Sequence, residues 1–158
     1  MLKLLYFVPC EKVILSIDKV TSLINTIDGV YVPPSMVIHP GAAIVFSWHT
    51  IAFWYRADEM DKGKEFEQQV ELYRPDKVLE FSVREKFRIV KDRYRVFTNI
   101  GAFPVGMAGE LWLKLSIRES ETENEWTLMS EYPLYVVHLK PNEVINENKS
   151  KTEPQKAE

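Results

Sequence analysis

Three histidines (His39, His49 and His138), one cysteine (Cys10) and an alternating run of glutamates (Glu119, Glu121, Glu123 and Glu125) are the side chains in this 158-residue chain whose chemistry suits catalysis or metal binding. Their spacing argues against each use. A local zinc site needs histidines on one helix face or a cysteine pair, and neither pattern occurs. A nucleophilic cysteine needs a base, a cation or a helix N-terminus to lower its pKa; Cys10 has only Lys12 near it in sequence and reads as a small buried hydrophobe. The glutamate run lacks the Asp, Asn and Gly pattern of calcium loops and reads as a solvated hairpin tip. Gly101, Gly106 and Gly109 come without a Gly-x-Gly-x-x-Gly run or a phosphate-binding lysine, so they read as turn residues. No catalytic, cofactor-binding or metal-binding set is expected.

The basic residues carry more. Arg84, Lys86 and Arg88 alternate on one face of a strand, and Arg93 and Arg95, across a turn near Lys91 and Asp92, are expected to share that face. Five cations on one ribbon suit phosphate, nucleic acid or an acidic partner. Against this stand Glu67, Glu71 and Glu80, predicted to face outward nearby and able to neutralise the ribbon through cross-strand pairs. The net charge of -3 also argues against dense phosphate binding. A second set, Phe53, Trp54, Tyr55, Phe97 and Trp112, is apolar and predicted to lie at an interface with another protein.

The elements that hold these residues are short apolar runs broken by Gly and Pro, as strands and turns read. Leu2 to Val8 opens the chain. Val13 to Ile17 and Val20 to Val32 flank a turn at Asp18 and Lys19. Pro33, Pro34, Pro40 and Gly41 mark a loop before Ala42 to Tyr55, in which 11 of 14 residues are apolar. Period-2 alternation marks Leu111 to Arg118, Glu65 to Leu72 and Phe81 to Ile89, and Tyr94, Val96 and Ile100 continue it. Pro133 predicts a bulge or an edge within Trp126 to Leu139. Residues 11–28 and 76–90 also fit a helical stripe; their branched and aromatic content favours strand. The sum is an all-β, antiparallel β-sandwich of about eight strands over 1–140, followed by a polar 141–158 tail too poor in apolar residues to order itself. No window reaches the roughly 18 apolar residues of a membrane span. The apolar opening lacks a signal-peptide cleavage site and Cys10 has no disulfide partner, which together predict a cytoplasmic protein.

One resemblance rests on the apolar strand ending in Cys10 and Glu11, the turn at Asp18 and Lys19, the strand Thr21 to Val30, the proline loop and the apolar strand from Ala43. With Phe103-Pro104-Val105-Gly106 leading to Gly109-Glu110-Leu111, this order resembles a family of small uncharacterised bacterial proteins catalogued as a domain of unknown function. The resemblance implies a β-sandwich of bacterial, or prophage, origin and supplies no catalytic residue. The expected role is contact with protein, self or other, in an accessory or assembly part. An anion or nucleic-acid binder on the basic ribbon is the alternative, and an enzyme of unknown class a second one.

Overall fold

The structure is a computed structural model and describes residues 2–15, 21–36, 38–120 and 125–141. The expected turn at Asp18 and Lys19, the centre of the Glu119 to Glu125 connection and the tail from residue 142 lie outside the described residues.

Among the described residues nine strands run in order: β1 (Leu2–Leu15), β2 (Thr21–Thr26), β3 (Gly29–Val32), β4 (Ala43–Arg56), β5 (Glu65–Tyr73), β6 (Leu79–Arg88), β7 (Arg93–Pro104), β8 (Gly109–Glu119) and β9 (Thr127–His138). A 3-10 turn, Glu59–Asp61, interrupts them, capped at its start by Asp58, whose side chain accepts from the Met60 amide. The described residues contain no helix long and apolar enough to cross a membrane. Sheet A has the order β2-β1-β4-β7 and sheet B the order β3-β9-β8-β5-β6, and the two stack as a sandwich. All pairings are antiparallel except β3 with β9, which is parallel. Where described, both ambiguous stretches are strands: the end of β1 and β2 in the first, β6 in the second.

The count exceeds the expected eight because the run Val20 to Val32 is cut in two. Its first half joins sheet A as β2, and after Ile27 and Asp28 the chain crosses to sheet B as β3. Gly29 makes the landing: a Cβ there would stand 2.5 Å from the carbonyl oxygen of Tyr135, so only glycine lets β3 lie this close to β9. Tyr132 fixes the crossing from the other side, its hydroxyl donating to Asp28 Oδ1 at 2.7 Å.

Conversely, β1 runs unbroken through Pro9, where the sequence suggests an end. The Pro9 carbonyl accepts from the Ile27 amide on the β2 side, and the regular β1–β2 register starts only at Cys10. The missing N–H therefore falls where β1 has no continuing neighbour, the position a strand proline tolerates. Pro133 obeys the same logic. Tyr135 N donates to Asp28 O, so Pro133, two residues earlier, aims its nitrogen at an edge that β3 has not yet reached.

The core forms where the alternating faces meet. Leu111, Leu113, Leu115 and Ile117 from β8 pack with Val70 and Leu72 from β5 against Trp48, Ala52 and Trp54 from β4. Each large apolar side chain so buried contributes about 1.5–3 kcal/mol. Phe87 stacks between Trp54 and Tyr94, with ring centroids 6.2 and 5.5 Å away. The two indole N–H groups are satisfied differently: Trp48 Nε1 donates to Ala102 O within sheet A, whereas Trp54 Nε1 donates across the sandwich to Gln68 Oε1, both at 3.0 Å.

Candidate functional site

The five cations predicted to share one ribbon do not share a face. β6 is the last strand of sheet B and β7 the last strand of sheet A, and they do not pair. The chain changes sheets between them at Ile89 to Asp92, where Arg56 holds the crossing. The Arg56 guanidinium bonds both oxygens of Glu59 at 2.8 and 2.9 Å and Asp92 Oδ1 at 2.5 Å, and the Arg56 amide donates to Asp92 O. These bonds push the guanidinium pKa up, the Glu59 bond most, and the Arg56 bond holds the Asp92 carboxyl below its usual range. Arg84, Lys86 and Arg88 accordingly lie on the outer face of sheet B, and Arg93 and Arg95 on the outer face of sheet A. A sheet change is invisible to period-2 reading, which sees only two alternating strands joined by a turn.

The expected neutralisation of Arg84, Lys86 and Arg88 also takes another course. Glu67 binds Arg118, Nη2 to Oε2 at 2.6 Å. Glu80 faces Arg74 at 3.7 Å, and Glu71 accepts from Gln69 and from the Tyr73 hydroxyl. Among the described residues, none of the three β6 cations forms an ion pair; Arg84 lies over the Trp126 ring at 5.5 Å. Arg118, which the basic-ribbon reading passed over, captures the carboxylate first, its guanidinium lying over the Trp126 ring. The alternation of Arg118 was legible; the register that sets it beside Glu67 was not.

The apolar set separates too. Phe53, Tyr55 and Phe97 come together on the outer face of sheet A, where the register sets Phe53 opposite Arg95, Tyr55 opposite Arg93 and Ile51 opposite Phe97. Tyr6 joins from β1, its ring centroid 5.2 Å from that of Phe53, and the Arg95 guanidinium carbon stands 4.4 Å above the Phe53 ring. Two of the five cations and three of the five interface residues thus lie on one face. Trp54 does not belong to it: it points into the sandwich and is fully buried, because alternation along β4 turns it inward with Trp48 and Ala52.

Trp112, 36% exposed, lies on the opposite side of the molecule, on sheet B. It lines a broad groove of about 650 Å³ with Tyr73, Arg74, Lys77, Glu110 and Lys114. The charges there serve one another or nearby groups: Lys114 meets Glu131 at 2.7 Å, Arg74 meets Asp76 at 2.8 Å, and Glu110 accepts from the Tyr135 hydroxyl at 3.0 Å. The Glu131 bond raises the Lys114 pKa, and burial raises that of Tyr73.

The remaining candidates are dispersed. His39 lies on an exposed loop, His49 Nδ1 is 3.3 Å from Glu11 O, and His138 Nε2 is 2.7 Å from Val105 O. No group of three metal-ligating side chains occurs among the described residues. Cys10 is buried, and burial pushes its thiol pKa up, away from the reactive thiolate. Gly101 lies within β7, whereas Gly106 and Gly109 make the turn into β8.

The fold and these surfaces define a nine-stranded β-sandwich with one aromatic and basic face and one unneutralised basic edge. No family model matches the chain, and no curated protein does. Among solved structures it is similar to a β-glucuronidase from Bacteroides uniformis, at a TM-score of 0.47 and 12% identity over 63% of this chain. The matched region spans 12% of that enzyme's length. A fold likeness of this kind transfers no activity.

Proposed function

We propose that this chain is a non-enzymatic β-sandwich that works by protein contact, as an accessory or assembly component, through the outer face of sheet A. One observation supports the reading: Tyr6, Tyr55 and Phe97, all at least partly exposed, surround the nearly buried Phe53 over β1, β4 and β7, with Arg93 opposite Tyr55 and Arg95 opposite Phe53; Ile51, on the same face, is fully buried and is not part of the contact surface. Aromatic residues and arginine are the types enriched at the centres of protein interfaces, because planar side chains bury large area at small entropic cost. The bacterial, cytoplasmic setting belongs to the same proposal and rests on the family resemblance and on the lone cysteine. Anion or nucleic-acid binding has less behind it, since a division into three and two cations breaks the continuous track that a phosphate backbone engages.

The test is light scattering on the purified protein combined with native co-purification, repeated with Tyr55→Glu and Phe97→Glu together. Self-association or a recovered partner that disappears in the double variant, at unchanged thermal stability, is the expected result. A strict monomer that recovers no partner overturns the proposal.

A further inference from the structure

The sandwich has two open flanks, one ending in β2 and β3 and the other in β6 and β7, and the second carries an apolar slot. Because β6 and β7 are both end strands, two strand edges run side by side there with no strand beyond either among the described residues. An edge strand aims half of its backbone N–H and C=O groups outward, as a template for another strand. Between these two edges lies a slot of about 390 Å³, lined mainly by Phe81 and Val83 of β6 and Ile100, Gly101 and Ala102 of β7. A Cβ on Gly101 would meet nothing within 4 Å, so the slot is open at that residue, between Asn99, Ile100 and Ala102 of β7. Glu85, on the inward face of β6 beyond Val83, confines apolar recognition to the Phe81 half.

The outward face of the same strand carries Arg84, Lys86 and Arg88, exposed and without an ion pair among the described residues. Charged edge strands commonly discourage pairing, and here the like charges oppose a second copy of this edge. They favour a strand of opposite charge. Because side chains alternate across a sheet, a strand laid along β6 sets every second residue toward the slot and the intervening ones toward the cations. We infer that the β6 edge accepts an extended segment of a partner protein in which apolar residues alternate with acidic ones, added to sheet B as a sixth strand. Main-chain bonds supply affinity, and the alternation supplies selection. This site is separate from the outer face of sheet A and does not depend on it.

The probe is a capped nonapeptide alternating valine and glutamate, N-methylated along one edge so that it cannot pair with itself, titrated by calorimetry into the full chain. Binding is expected, at least tenfold weaker when lysine replaces glutamate, and at least tenfold weaker again in the Arg84→Glu, Lys86→Glu, Arg88→Glu triple variant. Those side chains are exposed, so the variant keeps its fold, checked by its unfolding midpoint; should it not, Arg84→Ala with Arg88→Ala replaces it. Amide shifts on binding are expected along β6, with Tyr55→Glu and Phe97→Glu leaving the affinity unchanged. The inference is overturned by absence of binding at millimolar peptide and low salt, or by equal binding of the lysine peptide. Equal binding of polyglutamate or of a single-stranded oligonucleotide, or shifts confined to sheet A, overturns it too.

Discussion

Glu67 has a cation opposite it on each side, Lys86 in β6 and Arg118 in β8, and it pairs with Arg118. The arginine wins because its fork makes two bonds to Glu67 Oε2, from Nε at 2.9 Å and Nη2 at 2.6 Å, while its plane rests 4.5 Å from the centre of the Trp126 ring. Lys86 is left to solvent.

Replacing Arg118 by Met should therefore cost about 1–3 kcal/mol, because it strands a carboxylate that is only 7% exposed. Lys86→Met should change stability by less than about 0.5 kcal/mol. Urea unfolding of both variants checks this, and equal losses would contradict the pairing.

The Trp54 to Gln68 bond ties sheet A to sheet B inside the core. Trp54→Phe removes the donor, leaves the buried Gln68 oxygen without it and should cost about 1–3 kcal/mol through that bond. Adding Gln68→Leu should recover part of the loss, since removing both partners is cheaper than removing one. A double-mutant cycle with no coupling would refute this.

Gly106→Ala should be far more damaging than Gly101→Ala. A Cβ at Gly106 falls 2.4 Å from the carbonyl oxygens of both His39 and Pro40, whereas Gly101 has open space. The displaced turn would also lose the bonds that the Val105 and Gly106 amides, each at 2.9 Å, donate to Ala42 O. The expected cost at Gly106 is about 2–4 kcal/mol, against less than about 1 at Gly101; comparison of unfolding midpoints decides.

Burial and the bond to Asp28 push the Tyr132 phenol from its ordinary 10.0 up to about 12. A folded-state pKa above the unfolded one gives stability that is complete below pH 10 and lost as pH rises to about 12. Tyr132→Phe should lack that loss, so the stability gap between wild type and variant should narrow across this window. A gap independent of pH would count against the raised Tyr132 pKa.

The alternation of Leu111 to Ile117 was enough to place a core-facing strand, and the turn residues near Lys91 and Asp92 were enough to end one element and begin the next. The same signals failed at Trp54, because both faces of β4 are apolar: Ile51, Phe53 and Tyr55 alternate with Ala52 and Trp54, and only the position of sheet B decides which set is inward. They failed again at Arg93 and Arg95, because a turn joining two strands of one sheet and a turn crossing between sheets have the same composition.

The sequence by itself determined the all-β class, most strand positions and the inward faces of β5, β6 and β8, since these follow from a local period of two and from Gly and Pro geometry. Tertiary structure alone decided which strands neighbour which: that Val20 to Val32 serves both sheets, that Arg118 rather than Lys86 holds Glu67, and that the cations divide between opposite faces. Strand order and register come from long-range packing of whole faces, and no window of neighbouring residues encodes them.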